Sequence, residues 1–174
     1  LFRDGSETPV RNLDDVAVDS QGRLWVSVQG ARLTRLDISS LDPAEIRASA
    51  RFEEPMRRHS SREVNRLRQD RFGRLWYLTE KGLYRLDEQD ARWHLVVDAA
   101  RLQPAEGGTV RSMAVAADRS VWLVFGIHAH SELIRLDAQG EQVRFRTRLQ
   151  FDNDDGFIRD VLEGPDDVLY LLTD

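Results

Sequence analysis

"FGRLWYLTEKGLYRLD", Phe72–Asp87, has a near-copy in the same chain: "QGRLWVSVQGARLTRLD", Gln21–Asp37, stands 51 residues earlier. Both run Gly-Arg-Leu-Trp and both close on Arg-Leu-Asp. Aligning on the tryptophan extends the match to four copies, anchored at Trp25, Trp76, Trp122 and Tyr170 with spacings of 51, 46 and 48 residues. Twelve positions before the anchors stand Leu13, Val64, Val110 and Ile158; nine before stand Val16, Leu67, Met113 and Val161; one before stand Leu24, Leu75, Val121 and Leu169. The register holds without a gap, and chance does not easily produce four such apolar columns. Internal periods of this length govern the fold, so everything else is read against them.

Each copy reads as strand, tight turn, strand. "DDVAVD" alternates polar and apolar residues, the period of a half-buried strand. "SQG" brings turn chemistry, and "RLWVSV" is rich in β-branched and aromatic types. The turn becomes "DRFG" in the second copy, "ADRS" in the third and "PDD" in the fourth, the last two without Gly. A third strand follows three times with the same ending: "LTRLD" at 33–37, "LYRLD" at 83–87 and "LIRLD" at 133–137. Outer strands are expected around Ile46–Phe52, Trp93–Val97 and Val143–Thr147, and a short helix within 41–58.

Four antiparallel strands in 40–50 residues is the period of a β-propeller blade. The expected fold is therefore all-β: one propeller segment over 1–174, with blade-like repeats near 13–53, 64–97 and 110–148 and a partial one at 158–174. A lone blade cannot bury both faces, so blades stack and each anchor aromatic should lie between sheets. About three and a half blades leave an open edge. That predicts a part of a larger ring, and self-association of the piece alone.

The chain has 174 residues, one domain's worth, and no apolar run long enough to span a bilayer. It begins at Leu1 without a basic-then-apolar leader, as an excised or processed piece would. It contains no Cys, which excludes disulfides, thiolate metal sites and Cys nucleophiles. Net charge is −5 and uneven. Arg57, Arg58, Arg62, Arg66, Arg68, Arg71 and Arg74 form a basic stretch, and Asp152, Asp154, Asp155, Asp160, Glu163, Asp166 and Asp167 an acidic one. The acidic total disfavours a nucleic-acid partner.

The second copy, "VNRLRQDRFGRLWYLTEKGLYRLD" at 64–87, resembles the two-component-regulator propeller repeat through Asp70, Gly73, Leu75, Trp76, Thr79, Gly82, Leu83, Tyr84, Arg85 and Asp87. It departs at Leu78, where that repeat usually has Gly. The resemblance implies a bacterial, extracytoplasmic (periplasmic or extracellular) sensor domain that binds a small molecule or glycan and acts on a signalling partner. "IRDVLEGPDDVLYLLTD", 158–174, is similar to a blade of the soluble aldose sugar dehydrogenases, which hold pyrroloquinoline quinone and calcium. "DDVAVDSQGRLWVS", 14–27, is similar to gluconolactonase-like and streptogramin-lyase-like propellers. No match to the dehydrogenase's catalytic His or quinone-binding Arg is found. No catalytic residue, cofactor or metal ligand is therefore assigned, and the reading leans away from an enzyme.

Specificity should sit in what does not repeat. The starts of the inner strands are polar and differ: Asp14–Asp15, Asn65–Arg66, Arg111–Ser112 and Arg159–Asp160. Arg111 and Arg159, with Asn65, are candidate contacts to a carboxylate, sugar or phosphate. In "FGIHAHSEL", 125–133, His128 and His130 fall on one side of an extended strand and join the candidate ligand-binding set. "FDNDDGF", 151–157, fails as an EF-hand calcium loop because Gly156 and Phe157 take the places of a ligand and the turn Gly.

Overall fold

A hairpin turn is the unit from which the protein is built. In the computed structural model, which describes residues 13–28, 33–40, 42, 44–45, 51–52, 66–79, 81–87, 92–102, 108–127, 130–137, 142–147, 158–165 and 168–173, all four repeats close the first turn alike. Asp19, Asp70, Ala116 and Gly164 each donate a backbone N–H to the carbonyl four residues on, at 2.8–3.0 Å. Gly22, Gly73 and Arg119 then sit at φ 75°, 84° and 69°, the left-handed region that the turn demands. Gly is suited to it, and at Gly73 a Cβ would also come within 3.2 Å of Ser20 Cβ. The third repeat forces an arginine into the same conformation.

In the first two repeats the turn encloses a buried aspartate. Asp19 accepts the backbone N–H groups of Gln21 and Arg23 at 3.0 and 2.9 Å, Arg23 Nε at 2.6 Å and Trp25 Nε1 at 2.8 Å. Asp70 repeats the set with Phe72, Arg74 (backbone and Nε) and Trp76 Nε1 at 2.9, 2.9, 2.7 and 3.1 Å. The conserved spacing thus ties turn, carboxylate and indole together. Arg74 and Arg68 of the basic stretch are ion-paired, with Asp70 and Asp15 respectively, so this part of it is structural.

The strands follow in sequence order. β1 (Leu13–Val18), β2 (Leu24–Val28), β3 (Thr34–Leu36) and β4 (Arg51–Phe52) form one antiparallel sheet. β5 (Arg66–Gln69), β6 (Leu75–Thr79), β7 (Gly82–Asp87) and β8 (Arg92–Asp98) form the second. β9 (Thr109–Val115), β10 (Val121–Ile127), β11 (His130–Leu136) and β12 (Gln142–Thr147) form the third, and β13 (Ile158–Glu163) pairs with β14 (Leu169–Thr173) alone. These are propeller blades, three of four strands and one hairpin among the described residues. The helix expected within 41–58 shows at 44–45, the rest being mostly outside the described residues. An unexpected one-turn helix, Ala99–Leu102, follows β8, with Asp98 accepting the Arg101 N–H at 2.9 Å.

The chain divides into two compact units, Leu1–Leu95 and Val96–Asp174. In the first, Trp25, Leu33, Leu67, Leu75, Tyr77, Leu86 and Trp93 make one core, with Trp93 edge-on to Trp25 at 5.3 Å. In the second, Ala114, Val124, Leu133, Ile158 and Val161 pack together with Trp122, Leu169 and Leu171. Trp25 and Trp76 are buried as expected of seam residues and Trp122 is half-buried. The fourth anchor differs: Tyr170 is 56% exposed and lies over Gly164, where a Cβ would come within 2.2 Å of its ring.

Candidate ligand-facing site on the inner strands

Three inner strands carry a β-bulge at the same place. On β1 the pairing passes from Leu13↔Val28 to Asp15↔Ser27, leaving Asp14 as the extra residue. On β9 it passes from Val110↔Phe125 to Ser112↔Val124, leaving Arg111. On β13 it passes from Ile158↔Thr173 to Asp160↔Leu172, leaving Arg159. The second repeat's counterpart, Asn65, lies outside the described residues. A bulge sets two side chains against one on the partner strand and re-aims the extra one, so the repeat gives up a pairing position to present this residue.

The residue after each bulge ties one sheet to the next within its unit. Asp15 Oδ2 accepts the backbone N–H of Leu67 at 3.0 Å and Arg68 Nη1 at 2.7 Å. Ser112 Oγ, in the same column, accepts the backbone N–H of Val161 at 3.4 Å and donates to Asp160. Ser131 Oγ accepts the Ile158 N–H at 3.0 Å, and Glu163 accepts the Ala117 N–H. Arg111 and Arg159 therefore each stand one residue ahead of a directly bonded pair, Ser112 and Asp160, on adjacent inner strands. Both are exposed.

Arg111 has a built seat. An ideal Cβ at Gly126 would fall 1.9 Å from Arg111 Nε, so the guanidinium crosses from β9 onto β10 where that strand has no side chain. Gly126 pairs with Ser131, one rung below the Ile127↔His130 pair that closes β10 and β11. Arg111 thus lies at the end of the sheet that carries the histidine hairpin. Of the two histidines, His130 opens β11 with only its backbone described, and His128 lies outside the described residues, as does 151–157. Among the described residues no group of three or more His, Asp and Glu is placed to hold a metal ion, and no helix is long and apolar enough to cross a membrane.

Gly126 is not singled out by the sequence reading, and Ser112 and Asp160 figure there only as part of the polar strand starts, without a role. One signal pointed to the first: a lone Gly inside the apolar run "VWLVFGI" marks a close approach. In the first unit the corresponding seam holds Tyr77, whose hydroxyl lies 3.3 Å from Ser27 Oγ. Burial pushes the Tyr77 phenol far above its ordinary range, Ser27 pulls it back in part, and the Asp14 carboxylate raises it further. This phenol stays neutral at physiological pH and serves as a seam hydrogen-bonding group.

The fold is shared with known propellers at low sequence identity. The extracellular domain of a putative hybrid two-component system from B. thetaiotaomicron matches with a TM-score of 0.59 and 19% identity over 98% of this chain and 20% of that one. A catalytically inactive virginiamycin B lyase from Staphylococcus aureus, solved with quinupristin, matches with a TM-score of 0.58 and 13% identity over 92% and 48%. A putative gluconolactonase matches with a TM-score of 0.56 and 12% identity over 91% and 56%. The chain thus spans about half or less of the first two proteins and just over half of the third. No protein-family model and no curated protein matches it. The sensor-type propeller resemblance of 64–87 and the lactonase-like grammar of 14–27 both find counterparts among these folds, which fixes the class of architecture: a β-propeller, in part.

Proposed function

We propose that this chain is a ligand-sensing or protein-interaction module, part of a larger propeller that forms the input region of a bacterial signalling protein outside the cytoplasm. The observation that carries this reading is the bulge column. On a scaffold whose packing residues repeat, one position in three of the repeats leaves the strand ladder and carries a charged group, acidic at Asp14 and basic at Arg111 and Arg159. Varied chemistry on a repeated frame suits recognition. The resemblance of 64–87 and the fold likeness to an extracellular two-component-system domain support the location.

Two exposed arginines on adjacent inner strands suit a carboxylate- or phosphate-bearing small molecule or an acidic glycan, which planar guanidinium groups grip bidentately. Asn65, His128 and His130 remain candidate contacts from the sequence. Calorimetric titration with galacturonate, inorganic phosphate and neutral galactose tests it. Binding of an anion, weakened at least ten-fold by Arg111→Gln or Arg159→Gln, is the expected result. Binding of neither anion, or binding untouched by both substitutions, overturns the site.

A propeller enzyme is the second reading, favoured by the similarity of 158–174 to the aldose dehydrogenases and by the fold likeness to a lyase and a gluconolactonase. An aldose with calcium, pyrroloquinoline quinone and an electron-accepting dye, and separately a gluconolactone, are to be offered. Turnover, lost on chelation in the first case, would replace the sensing reading.

A further inference from the structure

The third and fourth repeats meet in a seam that lies wholly within the second unit. Arg111 and Arg159 stand at the same end of it, one on each side. The backbone that carries Arg159 is pinned both before and after that residue. Ile158 donates its N–H to Ser131 Oγ at 3.0 Å. Asp160 accepts the Ser112 hydroxyl, and Val161 donates its N–H to Ser112 Oγ at 3.4 Å and to Asp160 Oδ1 at 2.9 Å. Arg159 therefore projects between two fixed points, Ser131 on β11 and Ser112 on β9.

Arg111 runs between the same two points. It leaves β9 beside Ser112 and passes over Gly126, which is the β10 partner of Ser131. Gly126 lies two residues on from Val124, on the face that packs against Ile158 and Val161. The Arg111 side chain thus crosses β10 on the side that faces β13, the strand on which Arg159 stands. Every one of these contacts lies within the two sheets themselves.

Two guanidinium groups brought to one spot repel each other, and an anion held by both removes that repulsion. The shape of the anion matters. A carboxylate has two oxygens in one plane and a single charge, and one guanidinium fork satisfies it. A phosphomonoester has three terminal oxygens and close to two charges at neutral pH, enough for both forks.

We propose that Arg111 and Arg159 form one site rather than two, and that it takes the dianionic head of a phosphomonoester in preference to a carboxylate. This rests on the sensing reading and narrows its ligand. Ser112, Ser131 and Gly126 supply the frame that keeps the two arginines together.

Calorimetric titration of the full chain at about pH 8, where a phosphomonoester is a dianion, tests the proposal. Methyl phosphate carries the complete head, dimethyl phosphate lacks one terminal oxygen and one charge, and galacturonate offers a carboxylate. One methyl phosphate per chain is expected, bound at least ten-fold more tightly than either other probe. Arg111→Gln and Arg159→Gln should each weaken that single event at least ten-fold and erase the preference. Circular dichroism checks folding, with Arg111→Lys and Arg159→Lys in reserve. Two methyl phosphates per chain, one lost with each arginine, would show separate sites and overturn the proposal. Methyl phosphate bound no more tightly than dimethyl phosphate or galacturonate overturns it too. In that case galacturonate binding that still needs the arginines leaves the sensing site standing, whereas silence from every probe removes the sensing site as well.

Discussion

The guanidinium carbon of Arg85 lies 5.8 Å from the centre of the Trp76 ring, and the two residues face each other across the β6–β7 pair. Arg35 on Trp25 and Arg135 on Trp122 repeat both the pairing and the distance. The Arg of the Arg-Leu-Asp ending is thus the lid of the anchor tryptophan. Trp76→Ala should destabilise by about 3–5 kcal/mol, the range for a buried aromatic. Arg85→Ala should cost about 0.5–1 kcal/mol, as expected of a partly exposed cation on a ring. Urea unfolding of both single variants and the double variant measures the coupling, and strictly additive losses would refute the contact as an energetic pair.

Asp70 should matter more than its size suggests. Asp70→Ala leaves two turn N–H groups, the Trp76 indole and Arg74 without their acceptor. A loss of about 3 kcal/mol is expected, at the low end for a broken buried ion pair because Arg74 is partly solvated. Equilibrium unfolding checks it, and a loss below about 1 kcal/mol would mean that water replaces the carboxylate readily.

Asp19 should impose an acid limit. Burial alone would raise its carboxyl pKa, but hydrogen bonds from Trp25 and Arg23, with the charge of Arg23, outweigh it and hold it below its ordinary 3.8. A carboxylate whose folded pKa is depressed stabilises the fold above its unfolded value, and that stabilisation disappears as pH falls through the folded one. Stability should therefore be level from neutral pH to about pH 5 and fall below pH 4. Thermal melts of wild type and Asp19→Asn across this window should show a shallower acid decline in the variant.

Arg119 is the turn residue out of place. A side chain at φ 69° costs about 1–2 kcal/mol against Gly, part of which Gly loses again through its freer unfolded chain. Arg119→Gly should stabilise by about 0.5–1 kcal/mol, read as a higher melting temperature. Gly73→Ala, at φ 84° and against Ser20, should do the reverse.

Gly126→Ala should damage recognition more than folding. The new methyl group collides with the flexible end of Arg111 rather than with backbone, so Arg111 moves aside and the sheet survives. Anion affinity should fall about ten-fold, like Arg111→Gln, with less than about 1 kcal/mol lost in stability. Equal affinity of Gly126→Ala and wild type would show that the seat does not aim the guanidinium.

The repeat made the blades legible because packing columns recur in register. Strand order, the turn at Gly22 and Gly73, and the outer strands near Trp93 and Val143 follow from that alone. Tyr170 shows where periodicity stops: the column names an anchor, but burial depends on a neighbouring sheet that the column does not specify. The bulges at Asp14, Arg111 and Arg159 were also unreadable, since a bulge is a mismatch between two strands and each strand by itself looks regular. The candidate arginines were found from their place at the head of the inner strand. Their seat was not, because Gly126 gains its meaning from a side chain fifteen positions away.

A bulge adds a residue to one strand and none to its partner, and the ladder is back in step by the next pair. Asp14, Arg111 and Arg159 therefore stand outside the pairing that the ladder counts. Exchanging one leaves the strand register as it was, although Asp14 still acts on Tyr77 and Arg111 still lies over Gly126. Under the proposed sensing role, a protein built this way would vary its display one residue at a time without shifting a strand.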